Sequence, residues 1–267
     1  MCNKLKSIMI RLLAAIPIPG WKEFFVSRKS LYCGGGNDVF LVVSGKRVRC
    51  GFWTLPSSIV IRFPKHGAGN NTIELSIPDG QSAKKYLAKT FADMVITFNG
   101  HNGKVSIGET CKPIRHDFHI SVGTNAAVII GRDFCTSPNV KIEAAAMCAS
   151  DGRPAVIEFG EGVLIANDNL ITNDDHHAII DNESGKIVNY PQDIRIGAKC
   201  WICQSCFILK GTVLPDGSIL GARSVCAKAF EEKNCVIVGN PPRIVRRDVR
   251  WTYENIERLL LKQERGL

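Results

Sequence analysis

The sequence predicts a mainly β protein built as a parallel β-helix, and two patterns carry that expectation. Ile196, Ile202, Ile208, Leu214 and Leu220 are aliphatic at a strict spacing of six, and a small residue follows each by four positions: Cys200, Cys206, Thr212, Ser218 and Ser224. No helical period returns every six residues, whereas a coil of short strands and corners does. Three hexads close one turn, so Cys200 should stack above Ser218 and Cys206 above Ser224. Upstream, alternating apolar residues ending in glycine recur at Val105–Gly108, Val128–Gly131, Val156–Gly160 and Ile194–Gly197, with the glycines 23, 29 and 37 residues apart. The repeat there carries insertions of different lengths.

The elements can be justified in order. Leu5, Ile8, Met9, Leu12, Leu13 and Ile16 share one face at helical spacing, and Pro17 ends that helix. Arg11 interrupts the apolar run, and Pro17 and Pro19 stand where a cleavage site needs small residues, so no secretory signal is expected. The stretch is also too short to span a bilayer. Two readings of this basic segment, residues 1–35, stay open. Its apolar stripe docks on the rest of the chain, or residues 1–30 make a peripheral contact with an anionic membrane surface. Trp21, Phe24 and Phe25, interleaved with Lys22, Arg28 and Lys29, suit the second. From Asp38 the pattern turns to short strands: Asp38–Val43, Ser58–Phe63, Thr72–Ile77 and Met94–Phe98, with a short helix at 82–92 between the last two. The β-helix is expected over 36–248, with clear hexads over 196–225, and an amphipathic helix over 249–267.

Composition narrows the function classes. The 267 residues include 34 Lys plus Arg against 25 Asp plus Glu, a formal charge of +9. Residues 1–65 hold 11 basic and 2 acidic side chains, whereas 66–240 hold 16 against 19. The positive charge sits at the two ends, which argues against a nucleic-acid partner. Eleven scattered cysteines, an odd count, read as reduced thiols in a cytoplasmic protein.

Three motifs then carry a resemblance: Asp175-His-His-Ala-Ile-Ile-Asp181, Ile196-Gly-Ala-Lys-Cys-Trp-Ile202 and Val238-Gly-Asn-Pro-Pro-Arg-Ile-Val-Arg-Arg247. They resemble the signatures of the hexapeptide-repeat acyltransferases, most of all the capsule and exopolysaccharide O-acetyltransferases. The resemblance is specific over about 155–250, loose over 70–154 and absent over 1–35. It implies a left-handed coil, against the usual right-handed crossover preference. It also implies acetyl-CoA as acyl donor, a polysaccharide or smaller saccharide as acceptor, and a homotrimer with sites between adjacent β-helices.

The chemistry follows residue by residue. A sugar hydroxyl does not ionise at neutral pH, so its attack on a thioester needs a general base. His177 matches the family's catalytic histidine; His176, one residue out of register, is the alternative. Asp175 lies two residues before His177, on the same face of an extended segment, where it could orient the imidazole. The resemblance makes the Gln204 backbone N–H an oxyanion donor and puts Trp201 beside the thioester arm. It also places Ala222 against the pantetheine, and Lys228, Arg243 and Arg246 at the nucleotide phosphates. One departure stands out, since Cys203 occupies a position that is usually Gly in the family.

Metal sites are not expected. Cys200, Cys203 and Cys206 have zinc-like spacing, but the hexad register sends Cys200 and Cys206 to different corners. His116 and His119 lack a third histidine at coil spacing, and Gly34–Gly36 is followed by no phosphate-loop lysine. The resulting expectation is an O-acetyltransferase acting by direct transfer on a surface polysaccharide or its precursor. A small-molecule acetyltransferase and a non-catalytic β-helix scaffold are the alternatives.

Overall fold

The strand Thr72–Ile77 buries every second residue, Ile73, Leu75 and Ile77, and this two-residue alternation recurs along the chain. The computed structural model describes residues 36–50, 55–63, 69–110, 112–144 and 153–264; the expected helix of residues 1–35 lies outside them. Each short strand pairs with its counterpart one turn later, and the result is three sheets of eight, seven and six strands. From Val140–Ala144 the chain visits the second sheet, the first at Val156–Phe159, the third at Leu164–Ile165, and the second again at Asn169–Thr172. Pairing around this coil is parallel. That is a parallel β-helix with three faces.

Register defines the core. On the first face Leu41, Leu75, Ile107, Ile130, Phe159, Ile196 and Leu214 form one inward column, each paired with the next. On the second, Ile61, Ile96, Ile120, Ile142, Ile171, Ile208 and Cys226 form another. Ile165, Ile202, Leu220 and Ile237 continue the third. All are buried. The hexad spacing is thus the coil itself: Ile196 pairs with Leu214 and Ile202 with Leu220, one turn apart. The series also extends one step beyond the aliphatic residues, to Cys226.

The corners explain the small residues. Thr212, Ser218 and Ser224 are fully buried, and each hydroxyl donates to the carbonyl three residues earlier, at 2.6–2.7 Å. Cys200 and Cys206 fill equivalent slots and donate instead to Pro215 and Gly221 of the next turn, at 3.1 and 3.2 Å. In these corners the small side chain's O–H or S–H gives a buried carbonyl a hydrogen-bond partner. Between each slot and the preceding strand, Lys199, Ser205, Gly211, Gly217 and Arg223 take positive φ at a spacing of six. Earlier corners use Asn125, Asp133, Asn139 and Asp168 there, residue types that tolerate the left-handed region.

The glycines of the recurrent phrase stack in one column. A Cβ on Gly131 would lie 2.7 Å from the Gly160 carbonyl carbon, and one on Gly160 would lie 2.6 Å from the Ala198 nitrogen. Successive turns approach so closely at this corner that only glycine fits.

Two helices complete the described chain. Helix α1, Ala83–Thr90, buries Tyr86, Leu87 and Thr90 beside the early coils, within the span expected from sequence. Helix α2 covers Ile256–Glu264, and residues 249–255 of the expected helix are not helical; 265–267 lie outside the described residues. The discrepancy has a cause: Trp251 and Tyr253 are drawn out of helical register to pack along the third face. Among the described residues no helix is long and apolar enough to cross a membrane.

Candidate active site

The coil is interrupted by a long excursion, residues 173–193, at the corner between the second and first faces. Its base is closed by the Gln192 N–H donating to the Asn173 carbonyl, and its outer part by an antiparallel bridge between Ile180 and Ile187. This loop carries Asp175, His176 and His177, all exposed.

The Asp175 carboxylate accepts from Lys210 and, at 2.9 Å, from the Asn189 side chain. The Lys210 ammonium holds this carboxyl below its ordinary range against the opposing effect of burial, with Asn189 and the nearby His176 assisting. No bond joins that carboxylate to the His177 imidazole. The two residues meet instead through the backbone, where the His177 N–H donates to the Asp175 carbonyl at 2.8 Å. An extended backbone would put Asp175 and His177 on one face, and His176, at φ 63°, breaks that alternation. The His176 imidazole lies 3.4 Å from the Glu143 carboxylate, while His177 makes no side-chain hydrogen bond among the described residues.

Gln204 occupies a different corner, between the third and second faces. Its side chain donates to Asp168 at 3.2 Å, and its carbonyl accepts from the Arg223 N–H at 2.9 Å. Asp168 also accepts from Asn139 and Asn167, and these bonds, Asn139 first, keep its carboxyl ionised below the usual range. Ala222 sits one turn on in the same corner, and its N–H faces the Cys203 sulfur. Burial pushes the Cys203 thiol up to about 11 and the Cys200 thiol up to about 12. Both stay protonated at neutral pH, in a state unsuited to nucleophilic attack or metal ligation. Among the described residues no cluster of three or more metal-ligating side chains forms.

Trp201 faces outward on the third face and packs on Trp251, their ring centres 5.9 Å apart. Lys228 lies one turn beyond Lys210, in the corner that bears the His177 loop. Arg243 and Arg246 are exposed on the strand Pro242–Arg246, which folds back antiparallel on Val236–Gly239. Lys233 and Arg247 nearby are paired with Asp216 and Glu232. Lys228, Arg243 and Arg246 have no carboxylate partner among the described residues. All three stand at the C-terminal end of the β-helix.

The residues singled out from sequence therefore fall into separate groups. The His177 loop and Lys228 share one corner, Gln204 and Ala222 another, and Trp201 the face beside it. Sequence reasoning missed Lys210, Asn189, Asp168 and Trp251. Lys210 occupies a variable corner position of the hexad, where no pattern distinguishes it.

No family model matches the chain. It is 28% identical over 109 residues to a polysialic acid O-acetyltransferase of Escherichia coli O1:K1, a stretch covering 41% of this chain and 35% of that protein. It is 29% identical over 99 residues to the putative lipopolysaccharide biosynthesis O-acetyl transferase WbbJ of Escherichia coli K12, covering 34% of this chain and 50% of that one. The matches thus span half the length of these relatives or less. Among solved structures, the polySia-specific acetyltransferase NeuO superposes with a TM-score of 0.61 at 22% identity, over 84% of this chain and 81% of that one. Coil, hexad register and corner chemistry define a hexapeptide-repeat β-helix protein. In sequence the chain is similar to these acetyltransferases, and in fold to the solved acetyltransferase NeuO.

Proposed function

We propose that this protein is an O-acetyltransferase that moves acetyl from acetyl-CoA to a hydroxyl of a surface polysaccharide or its precursor, on a coil of the family's left-handed type. The observation that carries the reading is the anchored excursion, which presents the His177 imidazole to solvent, without a side-chain partner among the described residues, at the corner that also holds Lys228. His177 accepts the hydroxyl proton as the acceptor oxygen bonds to the thioester carbon. The Gln204 N–H, bonded to no other group among the described residues, stabilises the oxyanion. The carbon–sulfur bond then breaks, and the proton passes to the departing thiolate. No covalent enzyme intermediate forms, which suits the raised thiol pKa values. Lys228, Arg243 and Arg246 take the coenzyme phosphates.

Within one chain His177 and Gln204 stand at opposite edges of the second face, so the site is completed by a second copy. A homotrimer supplies that geometry. The exposed Ile179, Ile180 and Val188 of the excursion, and Phe207 on the second face, give such contacts an apolar surface. Cytoplasmic location, where acetyl-CoA is made, is part of the proposal. The names of the relatives point to an anionic or lipid-linked glycan as acceptor.

The test is thiol release from acetyl-CoA with polysialic acid and other surface glycans as acceptors. His177→Ala should lose on the order of a hundredfold or more in kcat. Turnover surviving that change would overturn the mechanism, and turnover by no glycan would favour the scaffold reading. Light scattering of the purified chain tests the trimer.

A further inference from the structure

The excursion poses a physical problem. It is 21 residues long by its bounds, 173–193, its residues 175–188 are exposed, and a loop of that length needs anchors to hold one side chain in register. The anchors converge on two residues the sequence did not single out. Asn189 uses its whole amide: the nitrogen donates to the His177 carbonyl at 2.8 Å and to Asp175 at 2.9 Å, and the oxygen accepts from the Ile179 N–H at 2.6 Å. It therefore holds the Asp175 side chain before His177 and the backbone at and after it. Lys210 donates to the Asp175 carboxylate and, at 3.0 Å, to the Asn189 carbonyl.

Lys210 differs from the loop in being part of the coil. Leu209 before it bonds Cys226 of the next turn, and Gly211 after it bonds Asp193 where the loop rejoins the coil. Its side chain is only 19% exposed, unlike the 63% of Lys233 in a surface ion pair. We propose that Lys210 and Asn189 are positioning residues, a clamp that fixes the His177 segment to the rigid coil. This rests on the reading of His177 as general base. Asp175 belongs to the same clamp: its carboxylate is the joint between lysine, amide and loop, not a partner of the imidazole.

The clamp is tested with Lys210→Met, Lys210→Arg and Asn189→Ala in the full chain, with Lys233→Met as an ion-pair control and His177→Ala alongside. Two readouts are needed. Hydrogen exchange, which requires no acceptor, should speed up over residues 175–189 in Lys210→Met and Asn189→Ala, while the coil strands keep their protection. In thiol-release kinetics, Lys210→Met should lower kcat about tenfold or more with the KM for acetyl-CoA little changed. Lys210→Arg should restore much of it, and Lys233→Met should behave as wild type. Unchanged exchange over the loop, or unchanged kcat while His177→Ala is inactive, would overturn the clamp alone. Activity retained by His177→Ala would overturn the base assignment, and the clamp's catalytic role with it.

Discussion

Trp251 packs at a tilt of 44° against Trp201 with ring centres 5.9 Å apart, and its indole N–H donates to the Lys199 carbonyl at 2.6 Å. The segment before α2 is thereby strapped across the third face. Tyr253 continues the ladder, 4.6 Å from Trp251, beneath the Lys112 ammonium at 3.2 Å. An aromatic pair contributes about 1 kcal/mol and a hydrogen bond about 1 kcal/mol more. Trp251→Ala should therefore destabilise the fold by roughly 2 kcal/mol in urea unfolding. A double-mutant cycle with Trp201→Ala should return a coupling of about 1 kcal/mol. Strict additivity would mean that the strap does not hold Trp201.

The glycine column makes a sharper prediction about stability. Gly160→Ala places a Cβ 2.6 Å from the Ala198 nitrogen, backbone of the next turn that cannot retreat without moving the sheet. The expected loss is about 3 kcal/mol or more. Gly80→Ala is the comparison: its φ is +71°, but nothing lies within 4 Å of the added carbon. Conformational strain alone should cost about 1–2 kcal/mol there. Equal losses by thermal unfolding would mean that turn-to-turn approach does not set the glycine requirement.

These two cases mark what was legible in the sequence. The strands Asp38–Val43, Thr72–Ile77 and Met94–Phe98 match their expected bounds, because alternation and hexad spacing are properties of the chain alone. The glycine phrase was visible too, but not its reason, which depends on the backbone of the following turn. The site was less legible. The motif around His177 could be read, but one left-handed residue, His176, undid the assumed face of Asp175. Lys210, 35 residues beyond Asp175, carries no local signal. The terminal helix was overextended since Trp251 answers to a tertiary partner, Trp201, not to helical period.

Buried thiols predict an alkaline limit. Burial raises the Cys200 thiol from an ordinary 9.0 to about 12. The sign follows: below the unfolded value both states hold the proton and the stabilisation is complete, and it is lost as pH rises towards the folded value. Between about pH 9 and 12 each such thiol removes roughly 1.4 kcal/mol per pH unit. Cys206 and Cys226 are shifted the same way by burial. Cys200→Ser fits the slot, as Ser218 and Ser224 do, and does not titrate there. Urea midpoints near pH 8 and pH 10.5 should therefore converge on those of wild type, or overtake them, as pH rises. A constant difference between the two proteins would remove Cys200 from the alkaline transition.

Cys203 is the position where chemistry and family pattern part. Its sulfur faces the N–H of Ala222, the group that the proposed function gives to the pantetheine arm, and that N–H lowers the thiol pKa against the larger effect of burial. A coenzyme bound there must compete with the thiol or displace it. Cys203→Gly removes the competitor while keeping the bond from the residue 203 N–H to the Leu220 carbonyl at 2.8 Å. The added backbone freedom should cost about 1 kcal/mol of stability. The KM for acetyl-CoA should nonetheless fall several-fold with kcat nearly constant, the mark of binding gained equally in ground and transition states. Cys203→Val keeps the bulk and adds a methyl without offering an acceptor, so its KM should rise. If neither substitution moves KM, Ala222 does not line the coenzyme groove, and the pantetheine runs along a different corner of the coil.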